Sequence, residues 1–292
     1  MKNFEIWPGP MEGVGKGGFI TAVNRLGLVT QWMTPFFRVS QNLPRLNKLK
    51  SFLEPFQQSR VPVCVQLMGT DPVLLGKAGK IFADMDIASI NLNFGCPSSR
   101  VISSGAGGGA LRRPDGLADF CRTVKSFLPP ELPLSVKIRS GWADPEEMEK
   151  LLPMFALCPA VDKIFFHYRT VKELYFELPD EVRQKRFKRA VELANHTPLI
   201  INGDIDSVED GERSMTLSGA DGVMIARPWI SDPWLLRRFH DPGVPGKAEG
   251  RELFFREADA CGVPHGGMIE LARMLWGKES ERFRQFIAAQ SD

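Results

Sequence analysis

Long apolar runs are missing from this 292-residue chain. None approaches the roughly 20 apolar residues of a membrane helix, so no membrane partner is expected. The opening "MKNFEIWPGPMEG" has no long apolar core of the kind a secretion signal carries. Cysteines are few and scattered: Cys64, Cys96, Cys121, Cys158 and Cys261, odd in number and without a CxxC pair. That spacing fits neither a disulfide framework nor a zinc site, and reduced thiols in the cytoplasm are the expectation, with no metal. A strong charge bias is absent too: the formal net charge is +2. Any surface for a polyanion must therefore be local. "GVGKGG" (13–18) fits a dinucleotide fingerprint on paper, but no acidic residue stands between Gly13 and Glu54 to hold a ribose.

Eight short apolar or β-branched runs are present: 5–11, 28–33, 61–69, 87–95, 132–142, 161–170, 197–205 and 220–229. Several are almost continuously apolar, as strands buried on both faces are. Helical patterns separate most of them, at 71–85, 114–128, 144–158, 180–196 and 207–219. The alternation predicts an α/β fold, a (β/α)8 TIM barrel, with a doubly wound open sheet as runner-up. "HDPGVPGKAEG" (240–250) reads as a linker, and "ELFFREADACG" and "GGMIELARMLWGKESERFRQFIAAQ" read as helices beyond it. The expected division is a catalytic barrel over 1–236 and a small C-terminal helical domain over 237–292, too short to fold alone.

In such a barrel the functional groups gather at the C-terminal ends of the strands. The runs end in Gln66, in Asn93 and Cys96, in Lys137 and Arg139, in His167 and Arg169, in Asn202 and Asp204, and in Arg227. A buried cysteine is most often inert. Cys96, between Gly95 and Pro97 where a catalytic loop begins, can instead give a proton, since an unperturbed thiol with a pKa near 8.5 is mostly protonated at neutral pH. Lys137 alternates with Val136 and Ile138, so it can point into the barrel, where an ammonium must find an anion or lose its proton. His167 is equally at home as a satisfied core histidine. The run "RQKRFKR" (183–189) is either a solvated helix face or a phosphate track. "NGDI" (202–205) and "IARPW" (225–229) follow strands seven and eight, where barrels often hold a phosphate.

"PMEGV", "VQLMG", "INLNFGCPSSRV", "GGGAL", "VKIRSGW", "HYRT", "INGDI" and "VMIARPW", in this order, resemble the dihydrouridine synthase family over about residues 5–235. The short N-terminal arm and "PMEGV" resemble the branch acting on tRNA position 16. The resemblance implies FMN-dependent reduction of a tRNA uridine to 5,6-dihydrouridine, with NADPH recharging the flavin. It implies hydride delivery to C6 of the uracil and protonation of C5 by Cys96. Asn93 would hold the uracil or the flavin edge. Pro10, Met11 and Glu12 would lie along the flavin, Gln66 would bond its ring, and Lys137 would offset its negative charge on reduction. His167, Asn202, Gly203, Asp204, Ala226 and Arg227 would hold the ribityl and phosphate groups.

The substrate base must leave its stack to reach a buried flavin, so cations around the mouth are needed to hold RNA. Arg139, Arg169, Arg112 and Arg113 are the expected substrate contacts, with Arg100 and Lys172 on neighbouring loops. A monomer is expected. The sequence departs from the family pattern in "GVGKGGFIT" after the first strand, in Tyr168 where "HGRT" has glycine, and in Ala226 and Pro228 where "IGRG" has glycines. From Ser231 onward nine Lys/Arg face ten Asp/Glu, so the C-terminal helices form no basic clamp. Two other readings stay open: a flavin barrel that reduces a small enone or pyrimidine, and a non-catalytic RNA-binding relative.

Overall fold

The computed structural model describes residues 4–11 and 17–289. Nine parallel strand segments form one sheet that curls into a barrel: β1 (Glu5–Pro8), β2 (Trp32–Met33), β3 (Phe37–Arg38), β4 (Val63–Met68), β5 (Ser89–Asn93), β6 (Leu134–Arg139), β7 (Lys163–His167), β8 (Leu199–Asn202) and β9 (Gly222–Ile225). Hydrogen-bonded neighbours run β1-β9-β8-β7-β6-β5-β4-β2, with β3 also on β4. Helices separate the successive barrel strands, as the alternation in sequence predicts for a TIM barrel. The seam lies between β1 and β2, where Gln31 Nε2 donates to the Ile6 carbonyl at 3.2 Å.

The second barrel position differs from the single strand expected over 28–33. Met33 pairs with Cys64 and Phe37 with Leu67, so four steps on this side match three on β4. The extra residue makes a bulge at Thr34–Phe36, around Pro35, which has no N–H to give to a ladder. Two helices were not expected, Gly17–Arg25 and Leu46–Gln57. The second has no acidic residue in its first turn, no side-chain N-cap bond, and Pro55 inside it. The region read as a linker is shorter than expected, because a helix starts at Lys247. The final apolar stretch is two helices, His265–Trp276 and Glu281–Ala288. Gly277 at φ 82° stops the first, and the Ser280 hydroxyl caps the second by accepting from the Phe283 N–H at 3.1 Å.

Side chains alternate across each strand. Val136, Ile138, Ile164, Phe166, Ile201 and Val223 face the helices and join the main core. Inside the barrel, Trp7, Met33, Cys64, Phe165, Ile200 and Met224 form a separate apolar floor, with Trp7 and Phe165 edge to face at 5.1 Å. Phe254, Met268 and Leu271 of the C-terminal helices belong to the same core as the barrel helices.

Candidate active site

Above the apolar floor the barrel interior turns polar, because the inward positions nearest the C-terminal strand ends carry amides and charges. Gln66 Nε2 donates to Asn91 Oδ1 at 2.8 Å, and Asn91 Nδ2 donates to Ser135 Oγ at 2.8 Å. Asn93 Nδ2 donates to Gln66 Oε1 at 2.8 Å. Satisfied in this way, a buried amide chain fixes one arrangement of the strands that carry it. The Asn93 oxygen accepts from the N–H groups of Gly95 at 3.1 Å and Cys96 at 2.9 Å. Asn93 therefore sets the turn that presents Cys96, and one of its amide hydrogens remains for a ligand.

The Cys96 turn is also gripped from outside. The Gly108 N–H donates to the Cys96 carbonyl at 3.0 Å. Gly107, at φ 54°, lies so close that a Cβ there would sit 2.7 Å from Val101 Cγ1 and 3.1 Å from Cys96 Cβ. The "GGGAL" segment is thus glycine-rich because backbone must approach backbone.

Register brings the ionisable groups level with one another: Asn93 opposite Lys137, Arg139 opposite His167, His167 opposite Asn202. Lys137 Nζ donates to Asn202 Oδ1 at 2.9 Å, and Asn202 Nδ2 donates to the Met224 carbonyl at 2.8 Å. Burial and then the nearby Arg139 pull the Lys137 pKa down to about 7, with Cys96 acting in the opposite sense. Burial, followed by Arg139, Lys137, Arg169 and Arg227, holds His167 well below its usual value. Its Nδ1 accepts from the Arg169 N–H at 3.2 Å, which leaves Nε2 to carry the proton of the neutral ring.

Asp204 gathers the far side. It takes a positive φ of 49° after Gly203 at 120°. Its carboxylate accepts from Tyr168 Oη at 2.7 Å and Arg227 Nη2 at 3.2 Å, and from Arg169 Nη2. Burial alone would raise its pKa, but the bonds from Arg169 and Tyr168 outweigh that and hold it below the usual range. The Tyr168 ring stacks on His167 at 5.6 Å and lies against Gly203, where an added Cβ would be 2.7 Å from Tyr168 Cδ1. The Tyr168 ring thus fills the space beside Gly203.

These groups line one cavity of about 1340 Å³ at the barrel mouth, together with Pro10, Met11, Cys96, Gly203 and Ala226. Of the residues singled out in the sequence, Gln66 lies beneath the cavity wall in the amide chain and Arg112 and Arg113 lie outside the lining. Glu12 falls outside the described residues. Arg139 lines the cavity, yet its Nε donates to the Gly95 carbonyl at 2.9 Å and its Nη1 to those of Thr170 and Leu174, both at 2.8 Å. Much of its capacity is spent holding loops.

Sequence reasoning missed Tyr175, whose ring has the Arg139 guanidinium 5.2 Å from its centre and that of Arg227 at 4.9 Å. The signal was "LYF" in a surface loop, three residues after the end of "HYRT". Among the described residues no cluster of His, Cys, Asp and Glu could hold a metal, and no helix is long and apolar enough to cross a membrane.

A cavity with apolar surface at Pro10, Met11 and Met224, and with Lys137, Arg139, Arg169 and Arg227 in its lining, suits a flat aromatic cofactor that bears negative charge. A dihydrouridine synthase family profile matches residues 8–264. The chain belongs to that family. It is an enzyme, an oxidoreductase of the flavin-using kind. A probable tRNA-dihydrouridine synthase of Rickettsia bellii is 32% identical over 232 residues, covering 78% of this chain and 68% of its own length. The tRNA-dihydrouridine(16) synthase of Vibrio cholerae is 30% identical over 236 residues, covering 77% of this chain and 70% of its own. Among solved structures, TcOYE with pHBA shares the fold at a TM-score of 0.58 and 9% identity, over 89% of this chain and 94% of that one. Morphinone reductase does so at 0.55 and 12%, over 85% and 89%.

Proposed function

We propose that this chain reduces a uridine of tRNA to 5,6-dihydrouridine with FMN, recharged by NADPH, and that Cys96 is its catalytic acid. The observation that carries this reading is the thiol turn, held by Asn93 and Gly108 beside a cavity whose floor is Lys137, His167 and Asn202. Bound in that cavity, FMN would supply the hydride that reaches C6 of the uracil, drawn from NADPH. Cys96 gives the proton that C5 takes up, so one hydride and one proton together saturate the C5–C6 double bond. Lys137, protonated when an anion is present, offsets negative charge on the flavin ring. Neutral His167, Asn202, Gly203 and the N–H of Ala226 bind the ribityl and phosphate groups, with Arg227 as counter-charge. Pro10 and Met11 pack on the ring. The resemblance of "PMEGV" and the Vibrio relatives both favour uridine 16 as the target. Residues 1–236 form the catalytic barrel, and 237–292 contribute shape to the RNA site.

The test uses purified protein with FMN, NADPH and a tRNA transcript, and mass spectrometry to map any uridine that gains two hydrogens. Wild type is expected to mark one position. Cys96→Ala is expected to bind FMN and be reduced by NADPH, and to lose about 10²–10⁴ in the rate of dihydrouridine formation. A colourless protein that takes up no FMN, or Cys96→Ala at wild-type rate, overturns the assignment.

A further inference from the structure

Several arginines on the outer helices are neutralised in place. Arg186 pairs with Glu173 at 2.8 Å, Arg189 with Glu149 at 2.5 Å, Arg273 with Glu270 at 2.5 Å and Arg282 with Glu252 at 2.7 Å. On one side of the barrel mouth the pattern reverses. Arg112 ends the turn Gly107–Arg112 after β5, Trp142 lies in the loop after β6, and Lys172 in the loop after β7. The Arg112 guanidinium carbon is 4.3 Å from the centre of the Trp142 indole, and the Lys172 ammonium is 5.2 Å from it. Both cations are exposed.

Three carboxylates close by in sequence are committed elsewhere. Asp115 pairs with Lys150 at 2.7 Å and Glu173 with Arg186. Glu147 accepts from the N–H groups of Trp142 at 2.7 Å, Ala143 at 3.2 Å and Asp144 at 3.1 Å. Among the described residues neither Arg112 nor Lys172 forms a salt bridge. The same Glu147 bonds fix the Trp142 loop, and the Val171 and Lys172 N–H groups donate to the Gly141 and Trp142 carbonyls, both at 2.9 Å. Two cations are thus held against one ring, with no anion paired to either among the described residues. The indole compensates part of their repulsion, and a phosphate would compensate the rest. The cluster also adjoins the thiol turn: Val171 packs on Gly108, whose N–H bonds the Cys96 carbonyl.

We propose that Arg112, Trp142 and Lys172 form a prearranged phosphate contact, and that RNA reaches the cavity over the β5–β6–β7 side of the mouth rather than through the paired Arg273 and Arg282 of the C-terminal helices. The proposal rests on the RNA reading above. It assigns Trp142 a positioning role, fixing two cations that would otherwise sample solvent.

Binding of a tRNA transcript to the FMN-loaded protein is measured against salt. Each phosphate contact contributes about 0.7–0.9 to the slope of log affinity on log salt. Arg112→Ala/Lys172→Ala is expected to lower the slope by about 0.8, so that the affinity lost between about 50 and 200 mM salt shrinks by roughly threefold. Trp142→Leu should weaken binding, with Trp142→Phe restoring much of it, at unchanged flavin content. If Trp142→Leu does not fold, the paired alanine variant carries the test alone. A wild-type slope in that variant, or a flattened slope in Arg273→Gln/Arg282→Gln, overturns the proposal and leaves the RNA reading standing. A wild-type protein that binds no tRNA at any salt overturns the RNA reading, and this proposal with it.

Discussion

At the scale of single residues, the most consequential is Lys137. Its pKa of about 7 follows from burial beside Arg139. An anion in the cavity raises that value, because it favours the charged amine. Binding of FMN to the flavin-free protein therefore takes up a proton once the pH exceeds about 7, and affinity is expected to fall by up to about tenfold per pH unit above that point. Below it the amine is already protonated and affinity levels off. Lys137→Met should bind more weakly and lose this pH dependence, as titration by flavin fluorescence would show; a wild-type profile that is flat from pH 6 to 9 would remove Lys137 from the site. The same shift bears on stability. A lysine depressed in the folded state binds fewer protons there than in the unfolded chain between pH 7 and its ordinary value, so its contribution to stability rises with pH across that window and is constant below it. Lys137 was legible in sequence because strand alternation allows only two faces, and a cation among apolar outward residues can face inward. Gln66 obeyed the same alternation and was read as a flavin contact. It is fully buried one inward position below Asn93, to which it is bonded, and alternation alone does not carry depth.

Elements meet most tightly where the loops after β7 and β8 touch. Tyr168 and Gly203 share one space: the ring is fully buried, bonded to Asp204 and stacked on His167, and Gly203 stands at φ 120°. Gly203→Ala adds a methyl 2.7 Å from a ring carbon, in a backbone conformation that alanine resists. A cost of about 1–3 kcal/mol in denaturant unfolding is expected, with weaker FMN binding. Tyr168→Gly/Gly203→Ala separates the two causes, since it removes the clash and keeps the backbone strain. Against Tyr168→Gly alone, no further loss in the double variant would show that strain contributes nothing; a loss as large as that of Gly203→Ala in the wild type would show that the ring does not limit this turn. Both motifs were visible as "HYRT" and "INGDI", but their contact lies 35 residues apart in sequence, and no pattern along the chain displays it. The second barrel position failed for a related reason. Its strand is two short pieces around Pro35, and each is too brief to show a period.

Over the whole molecule, the C-terminal helices and the barrel meet through apolar contact. Phe19 of the first helix lies edge to face with Phe254 at 5.3 Å and tilted to Trp229 at 6.0 Å. Gly18 lets the helix approach so closely that a Cβ would sit 2.9 Å from the Cys261 carbonyl oxygen. The ion pair across this junction, Arg25 with Glu257 at 3.2 Å, is largely exposed on the arginine side, and such pairs contribute little. The helices beyond Lys247 therefore depend on the barrel for a core, and the barrel depends on them to cover Phe19 and Trp229. A boundary near residue 236 marks where the β/α alternation stops in the sequence, and the shared core is expected to make the two sides of it unfold together. Phe254→Ala empties a fully buried ring site, and about 3–5 kcal/mol should be lost. Because the core is continuous, that loss is expected to move the entire unfolding transition, with helical circular dichroism and flavin release shifting together. Were the C-terminal helices to melt first while flavin stayed bound at the wild-type midpoint, the two parts would be separable and the shared core would not be what couples them.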